Sequence, residues 1–479
     1  MIIFVKYIRK TRMKIIIEGA GQVGSHLAKM LSHEGGDITV IDDNEARLQQ
    51  LVGTADVVTI LGDPSSITVL KEAGCAKADL FIAVNPFTTQ TVNVVSALLA
   101  KKLGSKRVIA RVEDEAYLLP ENKLIFKDMG IDMLFYPEKI ASDEIMDLLK
   151  HTASTDSMDF ARGKLQLLVF RLDDDSPILD MKVAEFTAAM TEASAQAQLR
   201  IIAIARKGET IIPKFDTKFL YNDHLYIIAK REGVPTIMKF LGKDNIEVDS
   251  VMILGGSEIA QMVAGQLARQ QLESVKIIEI DKQRCRDLSE KLPSEVMVAH
   301  GDVRNSDFLV EEGIRDYDAL VAVTGNDETN ILACVVAKKF GVARVIAQVE
   351  NLEYVRLAED MGVDAVINKK LITAGRIFKF TLSDKVRFVR YMSGTDAEVL
   401  EYTVAPGSKV TKGALKDIAF PRNAIIGGVI RGSEAFIAIG DTRIEPYDRV
   451  AVFALPETVK EEDTHVDGSE DAVSYAERL

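Results

Sequence analysis

The sequence predicts an α/β protein built from two doubly wound parallel-sheet domains, each followed by a smaller α+β domain. Three observations carry that expectation: a long internal repeat, short apolar strands alternating with amphipathic helices, and a glycine-rich turn that opens the first helix.

The repeat sets the domain plan. At an offset of 239, Gly62-Asp63 meets Gly301-Asp302, Asp42 meets Asp281, Glu72 meets Glu311, Gly74 meets Gly313 and Asp79 meets Asp318. Residues 108–113 (VIARVE) meet 345–350 (VIAQVE) at 237, and 129–132 meet 361–364 at 232. The offset falls in steps, as small insertions near Pro86 and around 118–123 of the first copy would require. Order and spacing agree over more than 100 residues, so the unit is a duplicated domain pair, not a solenoid repeat.

Within the first copy, the strands are expected at 14–17, 38–41, 57–60, 80–84 and 107–110, with helices between them, such as 23–32 and 92–103. Continuous apolar strands between amphipathic helices require a parallel sheet covered on both faces. The two such domains are expected at 13–150 and 249–385. Smaller units follow at 160–232 and 395–456. Strands are expected there at 164–172, 201–206, 209–212 and 224–229, and at 398–404, 424–431, 435–439 and 449–453. Gly208, Gly432 and Gly440 mark turns, Pro446 precedes the last strand, and each unit reads as a small sandwich.

Composition narrows the functional classes. A chain of 479 residues predicts two to four domains. Its 47% hydrophobic and 27% charged content is that of a globular protein. Three cysteines (Cys75, Cys285, Cys334) make no disulfide framework and point to a reducing compartment, and no Cys/His spacing suits zinc. A net charge of −13 argues against nucleic acid as a partner. No stretch of 18 or more apolar residues is present, so no membrane span is expected. Residues 1–12 place an apolar stretch before basic residues, the reverse of a signal peptide, and read as an N-terminal extension before Met13. Residues 457–479 read as an acidic, disordered tail.

Chemistry concentrates at Gly19-Ala20-Gly21-Gln22-Val23-Gly24, a GxGxxG between a strand and a helix. Gly19 permits the tight turn, Gly21 lets a pyrophosphate approach the backbone, and Gly24 lets helix and strand pack closely. Gln22 and Val23 begin the helix, whose N-terminus offers N–H groups to phosphate. This is a Rossmann-like arrangement. Asp42 ends the second strand, placed to accept ribose hydroxyls and to repel a 2′-phosphate, which favours NAD or an adenosine nucleotide over NADP.

In the second copy the loop reads Gly255-Gly256-Ser257-Glu258-Ile259-Ala260, with Asp281 taken as the ribose acid. Ser257 and Glu258 put a side chain and a negative charge where phosphate should sit, so the second site is expected to be weaker, altered or empty. Arg111 either reaches bound phosphate or joins an ion pair, and Gln348 replaces it in copy two. Asp63 either lines the adenine or closes a turn. Asn85 and Asn93 are expected at the crevice mouth, with Thr324, Asp327, Glu328 and Asn330 as their counterparts. None of the six histidines is duplicated, and no catalytic triad, HExxH or paired-carboxylate motif occurs, so no catalytic residue is assigned.

Residues 13–24, Asp42, Gly62-Asp63 and 109–112, with nucleotide domain and small domain in that order twice, resemble the regulatory subunits of Trk potassium uptake systems. Those are TrkA-type proteins with tandem RCK domains (regulators of conductance of potassium). Residues 404–407 and 425–431 are similar to the RCK C-terminal half, and the resemblance spans 13–456. It implies a cytoplasmic protein, peripheral to the inner face of the membrane, that forms a homo-oligomeric ring (dimer or tetramer) on an integral-membrane potassium-translocating subunit. It implies that NAD(H) or ATP/ADP binding shifts the ring and its gating. The positions that would carry the ligand are Gly19, Gly21, Gly24 and Asp42, with Asp63 and Arg111. A ligand-free assembly scaffold and an NAD-dependent oxidoreductase remain the alternatives.

Overall fold

The computed structural model describes residues 13–33, 36–86, 90–150, 152, 154, 156–160, 163–193, 198–207, 209–243, 246–378, 386–391, 398–418, 420 and 424–455. The expectations for 1–12 and 457–479 lie outside the described residues.

The first domain is a parallel sheet of six strands: β1 (Lys14–Glu18), β2 (Asp37–Asp42), β3 (Val58–Leu61), β4 (Leu80–Ala83), β5 (Arg107–Arg111) and β6 (Met133–Phe135). Their order, β3-β2-β1-β4-β5-β6, reverses between β1 and β4, which opens a crevice at the carboxyl ends of those strands. Between the strands run α1 (Gln22–His33), α2 (Glu45–Val52), α3 (Ile67–Glu72), α4 (Gln90–Leu103) and α5 (Pro120–Met129). The isoleucine-rich β1 is buried from Ile15 to Glu18, as a central strand covered on both faces must be. Local chemistry fixes the helix ends. Asn44 caps α2 through the Arg47 N–H, and Gly130 (φ 104°) ends α5 in the left-handed conformation that glycine accepts.

After α6 (Pro137–Lys150) comes the first small domain, a five-stranded antiparallel sheet. Its strands are β7 (Asp156–Phe160), β8 (Leu165–Arg171), β9 (Leu199–Arg206), β10 (Glu209–Ile211) and β11 (His224–Lys230), in the order β10-β9-β11-β8-β7. Helices α7 (Val183–Ala193) and α8 (Val234–Leu241) cover one face through Phe186, Met190, Ile237 and Leu241.

The second copy repeats the plan. Strands β12 (Ser250–Leu254), β13 (Ser274–Glu279), β14 (Val296–His300), β15 (Ala319–Ala322), β16 (Arg344–Gln348) and β17 (Ala365–Ile367) form a parallel sheet in the order β14-β13-β12-β15-β16-β17. Its helices are α9 (Glu258–Arg269), α10 (Lys282–Lys291), α11 (Ser306–Glu311), α12 (Asp327–Lys339), α13 (Leu352–Asp360) and α14 (Lys369–Phe378). The second small sheet has β18 (Val386–Tyr391), β19 (Glu398–Thr403), β20 (Ala424–Arg431), β21 (Glu434–Ile437) and β22 (Arg449–Ala454), ordered β18-β19-β22-β20-β21.

Three features differ from the sequence expectation. Edge strands β6, β7, β17 and β18 were not anticipated. β6 and β17 have three residues each and β7 (DSMDF) lacks an apolar run, whereas β18 (VRFVRY) has the length and apolar content of a strand. The small domains are not separate sandwiches. Their two sheets form one together, with Leu167, Ile202, Tyr226 and Ile228 facing Val399, Ile430 and Phe453. Gly427 allows the close approach, because a Cβ there would lie 2.2 Å from Ile228 Cδ1.

The third feature is an exchange of helices. The described residues form two compact units, one within 13–140 with 370–378, the other within 141–369 with 386–455. Helix α6 begins in the first unit, but its later turns pack in the second. There Ser142 Oγ takes a hydrogen bond from Gln266 of α9 (3.4 Å). The buried Arg344 donates to the carbonyls of Thr152 (3.0 Å) and Ser154 (2.8 Å) just beyond the helix. In return α14 belongs to the first unit, where Lys370 acts electrostatically on His26 of α1.

Candidate nucleotide-binding site

The glycine loop of copy one is held closed from two sides. Gly19 N–H donates to Ile41 O (2.7 Å), and a Cβ on Gly19 would lie 2.6 Å from Asn85 Cα, so only glycine fits between β1 and the end of β4. A Cβ on Gly24 would sit 1.8 Å from Gly19 O, so the third glycine of the motif is equally obligatory. Gly21, Val23 and Gly24 are buried and Gln22 is exposed at the start of α1. Ser25 Oγ ties the loop to the helix by donating to Ala20 O (2.9 Å).

Asp42 stands beside this loop, fully buried. Its Oδ2 accepts from Ala20 N–H (2.6 Å), its Oδ1 accepts from Asn44 N–H (2.8 Å), and Arg47 Nη1 lies 3.1 Å from Oδ1. Arg47 Nη1 also reaches Oδ2 (3.5 Å), so about four lone-pair sites are met and a ribose hydroxyl would take the place of that longest contact. Arg47 also approaches Asp43 at 4.0 Å, so two carboxylates surround one guanidinium and the local charge stays negative. That favours a free 2′-hydroxyl over a 2′-phosphate.

At the mouth, Asn93 clamps the end of β4. Its Oδ1 accepts from Asn85 N–H (3.1 Å) and its Nδ2 donates to Asn85 O (3.0 Å). Asp63 is exposed and forms a turn, accepting from Ser65 N–H (2.8 Å) and Ser65 Oγ (2.7 Å). Arg111 is not gathered with the glycine loop. It ends β5, one strand further out, where Nη2 lies 3.5 Å from both Glu113 and Glu138. The ion-pair alternative for Arg111 is the one the structure displays.

The second copy requires a correction. Gly255 N–H donates to Ile278 O (2.8 Å), as Gly19 does to Ile41. Gly256 N–H donates to Glu279 Oε2 (2.6 Å), as Ala20 does to Asp42. Glu279 therefore holds the Asp42 position. Asp281 corresponds to Asn44: it caps α10, accepting from Arg284 N–H (2.7 Å). The offset of 239 holds only over the stretch from Gly62 to Asn85 and its counterpart from Gly301 to Thr324. At the glycine loop it is 236 and at the end of the second strand 237, so a single offset carried Asp42 onto the wrong acid.

Copy two also caps its own helix. Ser257 Oγ accepts from Ala260 N–H (3.3 Å), and Glu258 occupies the first turn of α9. Gly21 brings no side chain to that position in copy one. A cleft of about 570 Å3 beside α9 and α10 is lined by Glu258, Asp281 and Asp287 against Arg284 and Lys291. The acidic majority makes it a poor seat for a pyrophosphate.

Residues 15–137 and 251–369 match the TrkA-N domain, and 167–242 and 399–461 match the TrkA-C domain. The Trk system potassium uptake protein TrkA of Halomonas elongata is 34% identical over 448 residues, which cover 92% of this chain and 96% of that one. The TrkA homolog of Archaeoglobus fulgidus is 35% identical over 444 residues, covering 92% and 97%. The chain belongs to the TrkA family. Among solved structures, the GsuK RCK domain superposes with a TM-score of 0.59 at 17% identity, covering 93% of this chain and 92% of that one. A GsuK channel bound to NAD gives 0.58 at 17%, covering 93% and 77%. At that identity the likeness is one of fold.

In this TrkA-family chain the reading of the residues missed several that matter. Glu18 ends β1 wholly buried beneath the loop, against Ser96 of α4. An acid closing an apolar strand, where copy two has Leu254, was the available signal. In the small domains Arg206 pairs bidentately with buried Asp223 (2.7 Å twice), and Arg431 pairs with Asp448 (2.9 and 2.7 Å). The shared spacing of 17 residues was legible. Among the described residues no cluster of three or more His, Cys, Asp or Glu could hold a metal, and no helix is long and apolar enough to cross a membrane. All three thiols are buried, and burial pushes Cys75 up to about 11, far from a reactive thiolate.

Proposed function

We propose that this TrkA-family protein is the nucleotide-sensing regulatory subunit of a Trk-type potassium uptake system. It binds NAD(H), or ATP/ADP, in the crevice of the first nucleotide domain and controls a separate integral-membrane potassium-translocating subunit. The observation that carries this reading is the closed glycine loop of copy one, with Gly21 bringing no capping side chain to the helix N-terminus and the strand-end carboxylate of Asp42 beside it.

Gly19, Gly21 and Gly24 shape the cradle, Gln22 and Val23 supply the first N–H groups of α1 to phosphate, and Asp42 orients the ribose. Asp63 flanks the adenine side. Arg111 acts through Glu138 at the start of α6. Asp281 serves as a helix cap, and the second site is weak or silent. Residues 13–150 form the sensing domain, and 160–232, 249–385 and 395–456 serve assembly and transmission. The protein works at the cytoplasmic face as a homo-oligomeric ring, and it carries no catalytic residue. The names of the Halomonas and Archaeoglobus relatives support the potassium uptake role. The GsuK channel solved with NAD supports the ligand class. A ligand changes such a ring only by binding its two states unequally.

The test is potassium uptake in cells that produce the chain together with a Trk-type membrane subunit. Uptake should depend on the chain. The double substitution Gly21→Ser, Gln22→Glu, which rebuilds the loop of copy two, should uncouple it from nucleotide supply. Uptake indifferent to both would refute the reading.

A further inference from the structure

We infer that Glu18 is a positioning residue of the first nucleotide site, whose proton holds the end of β4 against the glycine loop. When that proton leaves, the loop loosens and nucleotide affinity falls. The inference deepens the function proposed above and rests on it.

The geometry is a chain of contacts. Glu18 directly precedes Gly19 and is completely buried, flanked in the sheet by Ile41 and Ala83. Ser96 Oγ is hydrogen-bonded with Glu18 Oε2 and lies 3.1 Å from Asn93 O. Glu18 Oε1 meets no hydrogen-bond partner among the described residues. Asn93 in turn clamps both backbone groups of Asn85, the residue against which Gly19 is packed.

Ser96 has one hydroxyl proton for two acceptors. A neutral Glu18 solves this: its carboxyl O–H donates to Ser96 Oγ, and Ser96 donates to Asn93 O. An ionised Glu18 reverses the Ser96 hydroxyl, takes from Asn93 O the donor it has beyond its helical bond, and leaves a buried charge with one unsatisfied oxygen. The charged groups acting on Glu18 are Asp63 and Asp42, both negative. α4 presents Ser96 to it, and among the described residues no cation is found acting on Glu18. Burial pushes the carboxyl up to about 8, with Asp63 and Asp42 adding to the rise and Ser96 opposing it. The proton is therefore exchanged near neutral pH.

Copy two lacks the device. There Leu254 and Ala333 replace Glu18 and Ser96, while Asn330 keeps the clamp by accepting from Thr324 N–H (3.0 Å). Glu18 and Ser96 thus enter as a polar pair in the copy that keeps the GxGxxG loop.

The experiment is calorimetric titration of the full chain with NADH and with ADP between pH 6.5 and 9. It compares the wild type, Glu18→Gln, and Glu18→Leu with Ser96→Ala, which restores the apolar pair of copy two. The wild type should lose affinity by about threefold to tenfold from pH 7 to pH 9, the scale of one nearby charge. Both variants should show no such slope. A slope that persists in Glu18→Gln, or none in the wild type, would overturn the inference while leaving the nucleotide site intact. No binding of either probe at any pH would overturn both.

Discussion

Exchanging the first glycine loop for the second should weaken nucleotide binding without weakening the fold. In Gly21→Ser, Gln22→Glu, the serine copies Ser257, which occupies the N-cap of α9 at φ −62° and accepts from Ala260 N–H. The same bond at Gly24 N–H would remove one donor from the phosphate, a loss of about 1 kcal/mol. The glutamate places a unit charge within a helical turn of the pyrophosphate, which costs about 1–2 kcal/mol in a half-solvated site. Together these predict NADH affinity lower by about 30- to 150-fold.

Stability should move the other way. Serine is a slightly better N-cap than glycine, and glutamate in the first turn favours the helix dipole, so the ligand-free protein should gain up to about 1 kcal/mol. Calorimetric titration reads the first quantity and thermal unfolding without ligand reads the second. Unchanged affinity would refute the placement of phosphate at this helix. Lost affinity with a lowered unfolding midpoint would show that the loop had simply been damaged.

Further outcomes follow from the same geometry. Glu18 should make stability fall with pH. Its carboxyl is protonated in folded and unfolded chains below its ordinary value of 4.5, and only the folded chain keeps the proton between there and about 8. The penalty grows across that window to the order of 5 kcal/mol and then levels. A Glu18→Gln melt that retains the same slope would contradict this. Arg344→Met should cost about 3 kcal/mol by removing the guanidinium bonds to the carbonyls of Thr152 and Ser154. Hydrogen exchange should rise around 148–154, and unchanged protection there would count against it. Arg206→Ala should strand the buried Asp223 carboxylate and cost about 3 kcal/mol, with Arg431→Ala doing the same at Asp448. A chemical denaturation curve unmoved by either would show that the two clamps are idle.

The sequence carried the central strands and the shape of the first glycine loop because both obey local rules. The apolar run 14–17, the glycines at 19, 21 and 24 and the acid at 42 each state their own geometry. It failed where geometry depends on partners. Asp281 was chosen by counting residues, whereas the hydrogen bond from Gly256 selects Glu279. For Arg111 the sequence left phosphate and an ion pair open, and only the position of Glu138, 27 residues away on α6, decides for the pair. The assignment of α6 and α14 to the units leaves no trace in periodicity, because an apolar stripe does not say which neighbour covers it. Glu18 was passed over because one acid inside a strand reads as an interruption until Ser96 is seen above it.

The most direct measurement is the equilibrium binding of NADH, NAD, ATP and ADP to the purified full chain, counted per chain. A nucleotide sensor built on copy one predicts saturable binding of at least one of them at one site per chain. Absence of saturable binding by all four would contradict it.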